Sequence, residues 1–244
     1  WSRGLGDVYK RQGLLMESKR HLFDIPRELA YLNTAYFGCF SNKTTETAVE
    51  AAKIKSQPWY ITIPDFFKDA EKARNLFASI INTETDNIAL IPSASYGFAI
   101  AAKNIELSSS DTILLLSEQF PSNYYVWEEQ SKLTGARLSI VPRPEDDDWT
   151  NSVINHIDSD KSIKLISLEN NHWTDGGLLD LPQIANHIKD KNIKLLVDGT
   201  QSVGALPTDV KNMNPDFLVV SGYKWLLGPY NPVSYTHLTL PTKA

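Results

Sequence analysis

Six short apolar runs recur between Asn87 and Ser221, and their spacing limits the folds open to this chain more than any other feature. They are NIALI (87–91), TILLL (112–116), RLSIV (137–141), KLISL (164–168), KLLVD (194–198) and FLVVS (217–221). Each is rich in Ile, Leu and Val and nearly continuous rather than alternating, the pattern of strands buried on both faces. Helical patterns lie between most of them. In PDFFKDAEKARNLFASII (64–81), Phe67, Ala70, Arg74, Phe77 and Ile81 fall at three- and four-residue steps behind Pro64. LPQIANHIKDKN (181–192) repeats the spacing with Leu181, Ile184, Ala185 and Ile188. Strands alternating with helices predict an α/β fold, a mostly parallel sheet covered by helices on both faces. Ligands of such sheets bind at the carboxyl ends of the strands, which confines the search for a site to the residues just after each run.

The rest of the composition removes several function classes. With 244 residues, 42% hydrophobic and 22% charged, the chain can bury a sizeable core. A formal net charge of -5 and the lack of a basic cluster predict no nucleic-acid partner. The single cysteine, Cys39, cannot form an internal disulfide and is read as a packed residue suited to a reducing compartment. No apolar stretch approaches the roughly 18 residues of a membrane span, and no secretory signal is seen, so the expectation is a cytoplasmic protein with no membrane partner. His21, His156, His172, His187 and His237 lack metal-ligand spacing, and no metal site is expected. RPEDDDW (143–149) reads as a solvated acidic turn.

The two ends do not continue these patterns. WSRGLGDVYKRQ (1–12) has neither apolar period nor capping signal, and VSYTHLTLPTKA (233–244) breaks off a pattern about to enter another strand. Both resemble translated adapter or vector sequence, so 1–12 and 233–244 are expected to be non-native tails. That leaves 13–232 as one domain of a chain expected to be truncated on its C-terminal side.

Three strand ends carry chemistry. After NIALI, the small residues Ser93, Ala94 and Ser95 open a helix containing Phe98, Ala101, Ala102 and Ile105. A helix start offers unpaired N–H groups and a positive dipole end, which suit a phosphate, although a simple Ser N-cap would read the same way. After KLLV comes Asp198, followed by Gly199. A carboxylate there must be paired if buried, while Asp-Gly alone is a common turn. After FLVV come Ser221, Gly222, Tyr223 and Lys224. Lys224 could simply extend its head to water from the end of a buried strand. Together, however, a phosphate cradle, a carboxylate and a lysine match the needs of pyridoxal 5'-phosphate: donors for its phosphate, an anion for its ring nitrogen and an amine for its aldehyde. No glycine fingerprint of a nucleotide site follows any strand, which disfavours a dehydrogenase.

These residues stand in segments that resemble the class V aminotransferase family of pyridoxal-phosphate enzymes, which includes cysteine desulfurases, selenocysteine lyases and isopenicillin N epimerase-like proteins. The segments are YLNTAYFG (31–38), SASYGFAIAA (93–102), EQFPSNYYVW (118–127), HWTDGGLLDL (172–181), LLVDGTQSVGALPTDV (195–210) and DFLVVSGYKWLLGP (216–229), in family order. The resemblance implies a fold-type I large domain, a three-layer α/β/α sandwich whose C-terminal small domain is missing. It implies that Lys224 carries the cofactor through a Schiff base and moves protons at the substrate α-carbon. Asp198 would pair with the ring nitrogen and Gln201 would contact the phenolic oxygen. Ala94 and Ser95, joined by Ser221, would hold the phosphate, and Phe120 would stack on the ring. The reaction would be transamination, desulfuration or another lyase step, or epimerisation of an amino acid, in a homodimer. A non-catalytic binder of pyridoxal phosphate or another phosphate ligand is the alternative.

Two departures point away from a standard desulfurase. Tyr223 stands where desulfurases usually have histidine, and a family asparagine is replaced around His172 or Trp173. The desulfurase cysteine and the substrate-clamping arginine lie beyond Lys224 in relatives.

Overall fold

The computed structural model describes residues 17–230 and the backbone of 233–237. The six apolar runs form β1 (Ile88–Ile91), β2 (Thr112–Leu116), β3 (Arg137–Val141), β4 (Ile163–Glu169), β5 (Lys194–Asp198) and β6 (Phe217–Ser221), and β7 (Val233–His237) completes the sheet. The order across it is β1-β7-β6-β5-β4-β2-β3. Strands β3, β2, β4, β5 and β6 pair in parallel, while β7 runs antiparallel between β6 and β1. Since β7 opposes both neighbours, β1 runs in the same direction as the parallel set.

Residues 233–237 fall inside one of the segments expected to be foreign. Antiparallel pairing draws on backbone N–H and C=O groups, and Val, Tyr and Thr favour the extended state, so strand formation is indifferent to where the residues came from. The other such segment, 1–12, lies outside the described residues.

Among the described residues, seven α-helices cover the sheet or flank it: α1 (Asn42–Lys55), α2 (Asp65–Ile81), α3 (Ala94–Asn104), α4 (Pro121–Thr134), α5 (Trp149–Ser159), α6 (Leu181–Ile188) and α7 (Val210–Met213). Their ends follow local chemistry. Ser93 caps α3 by accepting the Tyr96 N–H, and Asp180 caps α6 by accepting the Gln183 N–H, with Pro182 in its first turn. Asp148, from the acidic turn, caps α5 in the same way. Gly135, at φ 77°, ends α4 in the left-handed region.

Successive strand residues feed two separate cores. Leu114, Leu116, Ile166, Leu168, Leu195, Val197, Leu218 and Val220 pack with α2, α5 and α6 on one face. Ile113, Leu115, Leu165, Leu196, Phe217 and Val219 pack with α3 and α4 on the other, against Phe98, Ala101 and Trp127. This is the expected three-layer sandwich, and each buried Leu, Ile or Phe contributes about 1.5–3 kcal/mol. Burial on both faces holds for β2 and β6 throughout, but not for β1 and β3, whose residues are partly exposed because they are edge strands.

The apolar stripe of α2 is likewise buried only in its second half, at Phe77, Ala78 and Ile81. Phe66 and Phe67 are exposed, together with Trp59, Tyr60 and Ile63 before the helix. No helix among the described residues is long and apolar enough to cross a membrane.

Candidate functional site

A cavity of about 220 Å³ opens where the carboxyl ends of β1, β4, β5 and β6 meet the starts of α3 and α4. All seven residues singled out from the sequence line it: Ala94, Ser95, Phe120, Asp198, Gln201, Ser221 and Lys224. Strand pleating explains part of this convergence. Leu196 and Val219 face the α3–α4 layer, so Asp198 and Ser221, two residues further along each strand, face it too.

Asp198 is 6% exposed and accepts the Thr200 N–H at 3.0 Å. Burial pushes its carboxyl above the usual range, against the pull of Thr200 and of the Lys224 charge. Lys224 is 5% exposed, and burial pushes its ammonium down while Asp198 and Glu169 pull it back up through space. Its Nζ lies 5.4 Å from the centre of the Phe120 ring and 5.9 Å from that of Tyr223. The lysine therefore reaches into the cavity rather than toward solvent, and it shares the cavity with Asp198 without a hydrogen bond between them.

The loop after β6 fixes this placement. The Gly228 N–H donates to the Gly222 carbonyl at 2.9 Å and the Leu227 N–H to the Lys224 carbonyl at 3.2 Å, closing a turn with Leu227 at φ 55°. The segment 31–38 packs along the rim. Gly38 donates its N–H to the Tyr223 carbonyl, and a Cβ there would lie 2.1 Å from the Lys224 carbonyl oxygen, so only glycine admits this approach. Phe37 stacks on Tyr230 at 5.9 Å and tilts against Tyr223.

The first turn of α3 faces the cavity with N–H groups that no carbonyl within the helix can reach. Ser95 donates its hydroxyl to Ser122 at 3.1 Å, and Thr200 donates to Ser221 at 3.4 Å, so these two hydroxyl pairs line the same space. α3 approaches the sheet closely because position 97 is glycine: a Cβ would meet Ile91 at 2.7 Å and Val219 at 3.0 Å. Gln201 is engaged at both ends of its amide, donating to the Ala35 carbonyl and accepting from the Trp225 indole.

Several lining residues escaped the sequence reading: Ser122, Glu169, Asn171, Thr200 and Tyr230. Glu169 carried a signal. It closes an apolar run with a carboxylate as Asp198 does, but the run KLISL places the strand end at Leu168, one residue short of it. At the departure from the family asparagine, Trp173 lines the cavity, whereas His172 lies buried outside it, stacked on Trp149 at 4.7 Å with Nε2 2.9 Å from the Ser117 carbonyl. Cys39 is half-buried.

Known proteins share the family and the fold. A model of the family described as Aminotransferase class-V matches residues 63–230. An uncharacterized aminotransferase, YcbU, of Bacillus subtilis (strain 168) is 32% identical over 158 residues, covering 65% of this chain and 41% of the relative. A probable cysteine desulfurase of Pyrococcus abyssi (strain GE5 / Orsay) is 29% identical over 164 residues, covering 65% and 40%. Among solved structures, a mutant of C-DES with glycine covalently linked to its PLP cofactor superposes with a TM-score of 0.80 at 20% identity, covering 90% of this chain and 59% of that one. The chain thus spans about two-fifths of the length of these curated relatives.

Proposed function

This chain belongs to the class V aminotransferase family, and from that premise we propose that its cavity holds pyridoxal 5'-phosphate and that the protein acts on an amino acid. The observation that carries the proposal is the meeting of Lys224, Asp198 and the first turn of α3 around one cavity, with the lysine and the aspartate unpaired to each other. The donor set fits the group. N–H groups of Ala94 and Ser95 and the hydroxyls of Ser95 and Ser221 suit a phosphate dianion, Asp198 suits a protonated ring nitrogen, and Lys224 suits an aldehyde. Pyridoxal phosphate, when bound, supplies an electron sink for the bond broken at the substrate α-carbon.

The protein's own groups do the rest. Burial holds the Asp198 carboxyl above its usual range, so a cation placed beside it in the cavity would draw it into the charged form. Lys224, with its ammonium destabilised by burial, has more free amine near neutral pH than an exposed lysine and can take or give a proton at its Nζ. Phe120 offers a ring face beside that nitrogen, and Gln201 is held at the cavity wall by Ala35 and Trp225.

Residues 13–232 are then the cofactor-binding large domain. Transamination, desulfuration or another lyase step, and epimerisation share these requirements, with Tyr223 in place of histidine favouring a branch other than the standard desulfurases. The exposed apolar surface at Trp59, Tyr60, Ile63, Phe66 and Phe67 supports the homodimer. A cytoplasmic location goes with this reading. The non-catalytic alternative is not favoured, since the matched relatives are named as an aminotransferase and a desulfurase.

Adding pyridoxal phosphate to the chain is expected to produce a visible absorption band at roughly 410–430 nm that changes when an amino acid is supplied. A band that ignores every amino acid tried would indicate a binder, and no band at all would overturn the cofactor assignment.

A further inference from the structure

Glu169 is the buried ionisable group in this cavity that the cofactor reading leaves without a task. It ends β4 in register with Asp198 on β5, is 2% exposed and lines the cavity. One carboxylate oxygen accepts the Phe120 N–H at 2.6 Å, and the other accepts the Trp173 N–H at 2.9 Å. Those donors belong to different loops. Phe120 is the residue just before α4, after β2, and Trp173 lies in the loop between β4 and α6. Their rings meet edge to face at 5.4 Å, and the Trp173 indole donates to the Glu118 carbonyl at 2.7 Å, which closes the link between the loops. Phe120 is also the ring nearest the Lys224 nitrogen.

We propose that Glu169 is a positioning residue: as a carboxylate it fastens Phe120 and Trp173 into one wall beside Lys224, and on taking up a proton it releases one of the two loops. The inference rests on the cofactor reading only for what the wall faces. A carboxylate accepts hydrogen bonds strongly at both oxygens, whereas a carboxylic acid carries its proton on one oxygen, which becomes a donor and a much poorer acceptor for its N–H. The charged groups around it are Asp198 from β5 and Lys224 from the loop after β6. The β2–α4 and β4–α6 loops contribute the two N–H donors, and α3 contributes only the uncharged Ser93, Ala94 and Ser95. Burial first, then Asp198, lift the Glu169 carboxyl to about 8, while the two N–H donors and Lys224 pull it down. The changeover therefore falls in an accessible pH range.

The test is the fluorescence contributed by Trp173, taken as the difference between the chain and Trp173→Phe and titrated without cofactor from about pH 6 to about pH 9.5, a window spanning the raised carboxyl. The signal is expected to change with a midpoint near 8 and to be flat in Glu169→Gln. Glu169→Asp keeps the charge but is too short to reach both donors, and is expected to leave the wall loose at every pH. A Trp173 signal that does not titrate in the parent chain overturns the proposal even if Glu169→Gln fails to fold. So does an unchanged titration in Glu169→Gln, or parent behaviour restored by Glu169→Asp. Pyridoxal phosphate binding is measured separately on the parent, so its absence would sink the cofactor reading and leave this titration standing.

Discussion

Replacing Asp198 by alanine is expected to weaken pyridoxal phosphate binding by roughly 100-fold or more, because removing one partner of a buried charge pair costs about 3–5 kcal/mol. The carboxylate stands at the end of β5 with almost no access to water, so no solvent can replace it beside a cationic ring nitrogen. Asp198→Asn, which keeps the shape and loses the charge, is expected to fail similarly, and turnover is expected to drop by orders of magnitude wherever it can be followed. Stability should move the other way. Burial lifts the folded-state Asp198 carboxyl above its unfolded value. A group raised in this way adds stability below the unfolded value and loses that contribution as pH rises through the folded one. The cofactor-free Asp198→Asn chain is therefore expected to melt no lower than the parent at about pH 8. A lower melting temperature with cofactor affinity unchanged would make Asp198 a structural residue and nothing more.

Lys224→Ala is expected to remove covalently held cofactor completely, together with the visible band and any amino-acid response. The lysine sits in a cavity where burial destabilises its ammonium and two buried carboxylates act on it only through space. Its amine is thus available near neutral pH, where an exposed lysine is almost wholly protonated. Lys224→Arg separates charge from chemistry: guanidinium retains the positive charge among Asp198, Glu169 and the Phe120 ring but offers no nucleophile. It is expected to behave as alanine does in covalent retention. A visible band that survives in Lys224→Ala would show that the cofactor is held without this amine.

The strands were legible because burial on two faces leaves continuous apolar runs, and β2, β5 and β6 coincide with theirs residue for residue. Lys224 and Asp198 were legible for the same reason, since a charge standing directly after such a run must go somewhere. Glu169 was hidden by a strand boundary, as one extra residue of β4 converts a loop glutamate into a buried partner of Asp198. Edge position was not legible: β1 and β3 carry apolar runs like the central strands, and only the pairing order exposes them. The half-covered stripe of α2 has a related origin, because periodicity marks an apolar face without stating how far the sheet beneath it extends. Thr200 and Tyr230 enter the cavity through chain path and tertiary contact, and neither is set apart by local pattern.

Borohydride reduction of the parent chain loaded with pyridoxal phosphate, followed by peptide mapping, bears most directly on the claim that the ends of separate strands converge on one vitamin B6 ring. The label is expected on Lys224 alone. A label on any other lysine, or none after demonstrated binding, would contradict the account.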